Sequence, residues 1–111
     1  MKSFLREVLS CGKFAVVLDG RVYRNQSFYS VKDGVLTTKA MVKVPLDEVN
    51  FFFFHTLNLS KLKKRGRFGK FVPVFFRYNG KRKRITGRVL TESGRWSLVE
   101  VAGIPFLTRR F

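Results

Sequence analysis

Acidic residues are scarce in this chain, and cysteine and histidine are nearly absent. There are 7 Asp+Glu against 23 Lys+Arg, with one Cys and one His among 111 residues. A single cysteine, Cys11, permits neither an internal disulfide nor a thiolate zinc cluster, and it suits a reducing compartment. With no basic partner beside it in sequence, Cys11 reads as an inert, buried thiol. A single histidine, His55, excludes a two-histidine metal site and a paired-histidine ribonuclease mechanism, and it reads as a packed or hydrogen-bonded ring. The carboxylates are Glu7, Asp19, Asp33, Asp47, Glu48, Glu92 and Glu100. Asp19, Asp33 and Glu92 read as turn residues, and Asp47-Glu48 is the only adjacent pair. The converging carboxylates that a metal-dependent nuclease needs are not evident. No phosphate-binding glycine motif follows a strand and opens a helix. The longest apolar run, Phe51-Phe52-Phe53-Phe54, falls far short of the roughly 20 residues of a membrane-spanning helix. Lys2 and Arg6 interrupt the first apolar positions, so no secretory leader is expected. These absences argue against an enzyme and for a protein without metal or cofactor.

What remains is apolar enough to fold. Hydrophobic residues make up 45% of the chain, including 13 Phe, which sets it apart from a disordered basic tail. The length suits one domain with one real core.

Turn dipeptides divide the chain into short β-rich runs. Asp19-Gly20, Asp33-Gly34, Asn79-Gly80 and Ser93-Gly94 each sit between such runs and supply the positive φ of tight hairpins. The predicted strands are 14–18, 21–24, 27–31, 35–39, 41–44, 71–78, 81–86, 88–90, 96–102 and 104–107, with Trp96 as a core anchor. The first eleven residues read as a short helix, with Phe4, Leu5, Val8 and Leu9 on one face, Ser3 as cap and Gly12 as stop. Residues 46–66 are ambiguous; a strand over Asn50–His55 followed by a short helix or basic loop is favoured. The expected fold is mainly β, a small barrel or sandwich of hairpins with a helix flanking or plugging it. A faint repeat at an offset of 60 aligns Gly20 with Gly80, Arg24 with Arg84, Gly34 with Gly94 and Pro45 with Pro105.

Charge is distributed very unevenly. Residues 1–59 carry 8 basic and 5 acidic side chains, and residues 60–111 carry 15 and 2. No acid lies between Glu48 and Glu92. Within that gap stand Lys61, Lys63, Lys64, Arg65, Arg67, Lys70, Arg77, Lys81, Arg82, Lys83, Arg84 and Arg88. Crowded like charge destabilises a compact chain unless a polyanion supplies the countercharge.

Two segments hold these cations. A two-residue turn at Asn79-Gly80 places Tyr78 opposite Lys81, Arg77 opposite Arg82, Phe76 opposite Lys83, Phe75 opposite Arg84 and Val74 opposite Ile85. Alternation then leaves the base of this 71–86 hairpin apolar on one face and its tip cationic on both. Opposed like charges weaken a ribbon unless phosphates sit between them. The ribbon would protrude and fit the major groove of a duplex. Tyr78, Phe75 and Phe76 offer rings for stacking, although Phe75 and Phe76 are better read as core. The second segment, 61–70, has six basic residues and two glycines, Gly66 and Gly69, and reads as a flexible arm that tracks a backbone or enters a minor groove. Arg109-Arg110 add little.

The expectation is a nucleic-acid-binding protein, with DNA slightly favoured over RNA. It contacts phosphates through Lys61, Lys63, Lys64, Arg65, Arg67, Lys70, Arg77, Tyr78, Lys81, Arg82, Lys83, Arg84 and Arg88, largely without sequence preference. Its role would be architectural, packaging or regulatory, and viral proteins fall within that class. Neutralising six to eight phosphates of a duplex predicts a salt slope of roughly −5 to −7. The first alternative is a small basic inhibitor or interaction protein docking on an acidic protein surface. The second is a metal-free ribonuclease, comparable in size and fold class to the small β-barrel endoribonuclease toxins. The basic residues do not lie on an amphipathic helix, so no membrane contact is expected. Edge strands make a homodimer a further expectation, and the compartment is expected to be cytoplasmic, nucleoid-associated or, for a viral protein, the host cell or virion.

Overall fold

Tight turns and period-two alternation build nearly the whole molecule. The computed structural model describes residues 4–18, 20–47, 49–53, 57, 59–78 and 80–109, with 59 and 76–78 described in their backbone alone. One helix, α1 (Phe4–Leu9), precedes β1 (Phe14–Leu18), β2 (Arg21–Gln26), β3 (Phe28–Lys32), β4 (Val35–Thr38), β5 (Lys43–Pro45) and β6 (Phe51–Phe52). A 3-10 turn (Leu59–Lys61) leads to β7 (Phe71–Tyr78), β8 (Lys81–Ser93), β9 (Trp96–Val101) and β10 (Ile104–Arg109). The Asp33-Gly34 turn shows why the expected hairpins form. Both residues take positive φ, 52° and 73°, the type I′ geometry that matches strand twist. Asp19 and Asn79 lie outside the described residues, as do His55, Ser3, Glu48 and Arg110. The flanking pairs Leu18↔Arg21 and Tyr78↔Lys81 fit two-residue turns at both places.

The strands form an antiparallel seven-stranded sheet, ordered β2-β1-β6-β10-β9-β8-β7, and a three-stranded sheet, β3-β4-β5. The barrel alternative does not hold. β2 and β7 end the large sheet with no pairing between them among the described residues, and the arrangement is sandwich-like. Period-two alternation gives the large sheet two apolar faces. Phe14, Val16, Phe51, Leu98 and Leu107 point to the main core, which Leu36 and Val44 of the small sheet and Leu5, Val8 and Leu9 of α1 complete. Val72, Val74, Val89, Val99 and Phe106 form a second cluster, joined by Phe52 and Ile85. Of the strand expected over Asn50–His55, β6 keeps Phe51–Phe52; Phe51 and the following Phe53 are buried in the main core and Phe52 packs partly buried on the second cluster, while Phe54 lies outside the described residues. No helix among the described residues is long and apolar enough to cross a membrane.

Several sequence expectations shift in detail. The strands expected over 21–24, 27–31, 35–39, 41–44 and 104–107 are Arg21–Gln26, Phe28–Lys32, Val35–Thr38, Lys43–Pro45 and Ile104–Arg109, and the turn expected at Ser93-Gly94 falls at Gly94-Arg95, between the paired Ser93 and Trp96. The runs 81–86 and 88–90 are one strand, β8, of 13 residues. The expected strand over 96–102 stops at Val101, because Ala102 (φ 51°) and Gly103 (φ 79°) make a further tight turn. Glu92, read as a turn residue, lies inside β8 opposite Ser97 and is 2% exposed.

The faint repeat at an offset of 60 holds for the first hairpin of each half and slips to 61 at the second, so Gly34 and Gly94 take different places in their turns. In both halves a two-residue hairpin (β1–β2, β7–β8) leads into a second hairpin (β3–β4, β8–β9). The second hairpins carry a bulge at the same distance from their turns, at Tyr29 between Phe28 and Ser30 and at Leu90 between Val89 and Thr91. β2 and β3 break at Ser27, whereas their counterparts run on as one strand through Gly87. A Cβ on Gly87 would press against Val99 at 3.1 Å, so glycine keeps the sheet closely packed at that joint.

Candidate nucleic-acid interface

All thirteen sequence-predicted residues fall on β7, β8 and the segment leading into β7. β7 is the edge strand of the large sheet, and its predicted register with β8 is the observed one, from Val74↔Ile85 to Tyr78↔Lys81. Lys81, Arg82, Lys83, Arg84 and Arg88 are exposed. Arg77 and Tyr78 stand opposite Arg82 and Lys81 in the backbone; their side chains lie outside the described residues. Lys61, Lys63, Lys64, Arg65 and Lys70 are exposed, and Arg67 is half-buried.

The 61–70 segment, expected to be flexible, is laced to the second half of β8. The Gly69 N–H donates to the Val89 carbonyl at 2.8 Å, and the Val89 N–H donates to the Lys70 carbonyl at 2.8 Å. The Glu92 N–H donates to the Arg65 carbonyl at 3.1 Å. The Thr91 hydroxyl donates to the Lys63 carbonyl at 2.6 Å and accepts from the Arg65 N–H at 3.2 Å. The arm therefore continues the line of β7 along the outer edge of the sheet, so the two basic segments are one margin.

A buried carboxylate holds that margin in place. Arg67 Nε donates to Glu92 Oε1 at 2.7 Å and Nη2 to Oε2 at 3.1 Å, and the Arg67 backbone N–H adds a bond to Oε1 at 3.0 Å. The Ser97 hydroxyl donates to Oε2 at 2.9 Å. The Arg67 guanidinium, with that N–H and hydroxyl, holds the carboxyl at about 2, although burial pushes the other way. The same contact raises the Arg67 pKa. Gly66 is there for closeness rather than mobility: at φ 68°, a Cβ on it would overlap Glu92 Cγ.

Acids therefore occupy part of the cationic set. Arg67 belongs to Glu92. Arg88 reaches its cross-strand neighbour Glu100 at 3.6 Å while its side chain stays 46% exposed. Arg109 lies apart, 3.6 Å from Asp47 and over the Trp96 ring at 5.7 Å. The other basic residues of the margin supply its exposed charge.

Alternation decides which side chains share a face. Val72, Val74, Ile85 and Val89 turn inward to the second cluster. The outward face therefore carries Phe71 opposite Arg88, Pro73 opposite Thr86, and Phe75 opposite Arg84. Phe71 is 73% exposed, the most exposed large apolar side chain described. Phe75 is half-buried, with the Arg82 guanidinium 4.7 Å above its ring. Phe68, 45% exposed, carries the Lys64 ammonium 4.6 Å above its ring. Sequence reasoning passed over Phe68 and Phe71. The signal for Phe71 was present: counting alternation outward from Val72 and Val74 puts it on the solvent side. Pro73 has no N–H to offer a further strand.

Where the arm begins, Lys61, Lys63 and Arg65 face Arg6, Glu7 and Cys11 across a cleft of about 460 Å³. Burial pushes the Cys11 thiol up, against the pull of Lys61, and its Sγ donates to the Glu7 carbonyl at 3.1 Å. This is the environment of an unreactive thiol.

No protein-family model matches the chain, and no curated protein or solved structure matches it either.

Proposed function

We propose that the protein binds nucleic acid through the phosphate backbone, along the margin formed by residues 61–70, β7 and β8. The observation that carries this reading is the continuity of that margin. Ten exposed basic side chains, from Lys61 to Arg88, lie on two adjacent chain segments at one edge of the large sheet. Such a one-sided field attracts a polyanion and exacts a self-repulsion that phosphates relieve. Sequence preference is expected to be weak. The chain has four Asn and one Gln for bidentate readout. Gln26 is buried and bonded to the Arg24 carbonyl at 2.9 Å.

Electrophoretic mobility shift with duplex DNA, single-stranded DNA and RNA tests the reading, alongside the triple substitution Arg82→Ala, Lys83→Ala, Arg84→Ala. Binding at low salt that the triple variant loses supports it. Absence of any shift at low salt, or binding unchanged in the triple variant, overturns it. A nuclease-resistant complex with an acidic protein would instead favour an interaction protein, and RNA cleaved in the presence of chelator would favour a ribonuclease.

A further inference from the structure

From the outward face of β7 we infer that the polymer this margin takes is single-stranded, with an unpaired base stacked on Phe71. The inference rests on the backbone-binding reading and narrows it. An exposed phenylalanine is costly in water, because burying such a ring is favourable. Here the most exposed one lies in the cationic margin: Lys70 precedes it in sequence, Arg88 is opposite it, and Arg84 lies four pairs further along the ribbon on the same face. Cations beside an open ring are complementary to a strand whose phosphates and base faces are presented together.

A duplex presents phosphates but keeps its base faces stacked inside. A wedge between base pairs is the exception, and it would show as a loss of duplex binding in Phe71→Ala. Phe71 is the first residue of β7, at the end of the ribbon far from its turn. The Phe75 ring is already covered by Arg82 and the Phe68 ring by Lys64, so Phe71 is the open platform among the three. Phe75 lies four residues and about 13 Å further along the same face, so Phe71 is a single stacking position set among cations rather than one rung of a ladder. The single-stranded reading replaces the lean toward duplex DNA that the ribbon shape alone suggested.

Fluorescence anisotropy with a labelled oligothymidine and a labelled duplex of equal length, at one salt concentration, tests it. Phe71→Ala should weaken oligothymidine binding by roughly 5- to 150-fold, the range expected for one stacked base, and leave duplex binding within about twofold. Phe71→Trp should restore the affinity, and its fluorescence should be quenched on binding. Phe71 is exposed, so the alanine variant is expected to fold. If wild type binds both polymers and Phe71→Ala changes neither, or weakens both equally, stacking is wrong while backbone binding stands. If wild type binds neither, the backbone reading itself falls.

Discussion

The two halves of the molecule use similar hairpins to different ends. β1–β2 with β3–β4 and β7–β8 with β8–β9 share two-residue turns and, in the second hairpin of each, a bulge at the same distance from the turn. The outward faces differ. In the first half the exposed partners Val17 and Val22 stand opposite each other, and basic residues such as Arg21, Arg24 and Lys32 are interspersed with acids along the sequence. In the second half the exposed face and margin carry a nearly unbroken series of cations around Phe71. Inward side chains and turns specify the hairpin, and the outward side chains are left to be specialised.

The difference is broken most strongly at the outward cations. Replacing Arg82, Lys83 and Arg84 with Ala should lower polynucleotide affinity by about two orders of magnitude at 0.1 M salt or below, through three lost phosphate contacts. The matching change in the first half, Arg21, Arg24 and Lys32 to Ala, should lower it less than threefold. Titrations on both variants check this.

Next in size is the packing of the arm. Gly34 and Gly66 both take positive φ, but a Cβ on Gly34 meets nothing within 4 Å whereas one on Gly66 overlaps Glu92. Gly34→Ala should cost about 1 kcal/mol and Gly66→Ala about 3 kcal/mol in urea melts, with the arm released in the second case.

The Glu92 carboxylate should make the second half acid-sensitive. Its pKa falls from an ordinary 4.5 to about 2 on folding. A lowered folded pKa contributes stability that is complete above about pH 4.5 and is lost as pH falls through 2. The contribution is of order 3 kcal/mol, and Glu92→Gln should flatten this part of the stability–pH curve. The smallest effect is expected in the first half at Met41, which sits exposed at φ 64°. Met41→Gly should stabilise by up to about 1 kcal/mol by relieving a left-handed backbone.

Much of the fold was legible because its signals are local. Asp33-Gly34 announces its own turn, and once the turn at 79–80 is placed, every pair from Val74↔Ile85 to Tyr78↔Lys81 follows by counting. Which edges meet is not local, so an open sheet and a barrel looked alike. The candidate site was legible in its charge but not in its anchoring. Glu92 beside Ser93-Gly94 resembles a turn acid, and its partner Arg67 is 25 residues away in sequence. Gly66 resembles a flexible link until the carboxylate beneath it is seen. Phe71 begins a strand whose other phenylalanines, Phe75 and Phe76, read as core, and only the inward burial of Val72 and Val74 shows that it faces solvent.

The central claim is that the second-half cations gather along one edge to meet phosphates. The most direct measurement is the slope of log K against log salt for oligothymidine binding, in wild type and in the Arg82, Lys83, Arg84 triple alanine variant. Six to eight phosphate contacts on a single strand give a slope of roughly −4 to −6, and the triple variant should be shallower by about 2. A wild-type slope near zero, or one that the triple substitution leaves unchanged, would contradict the account.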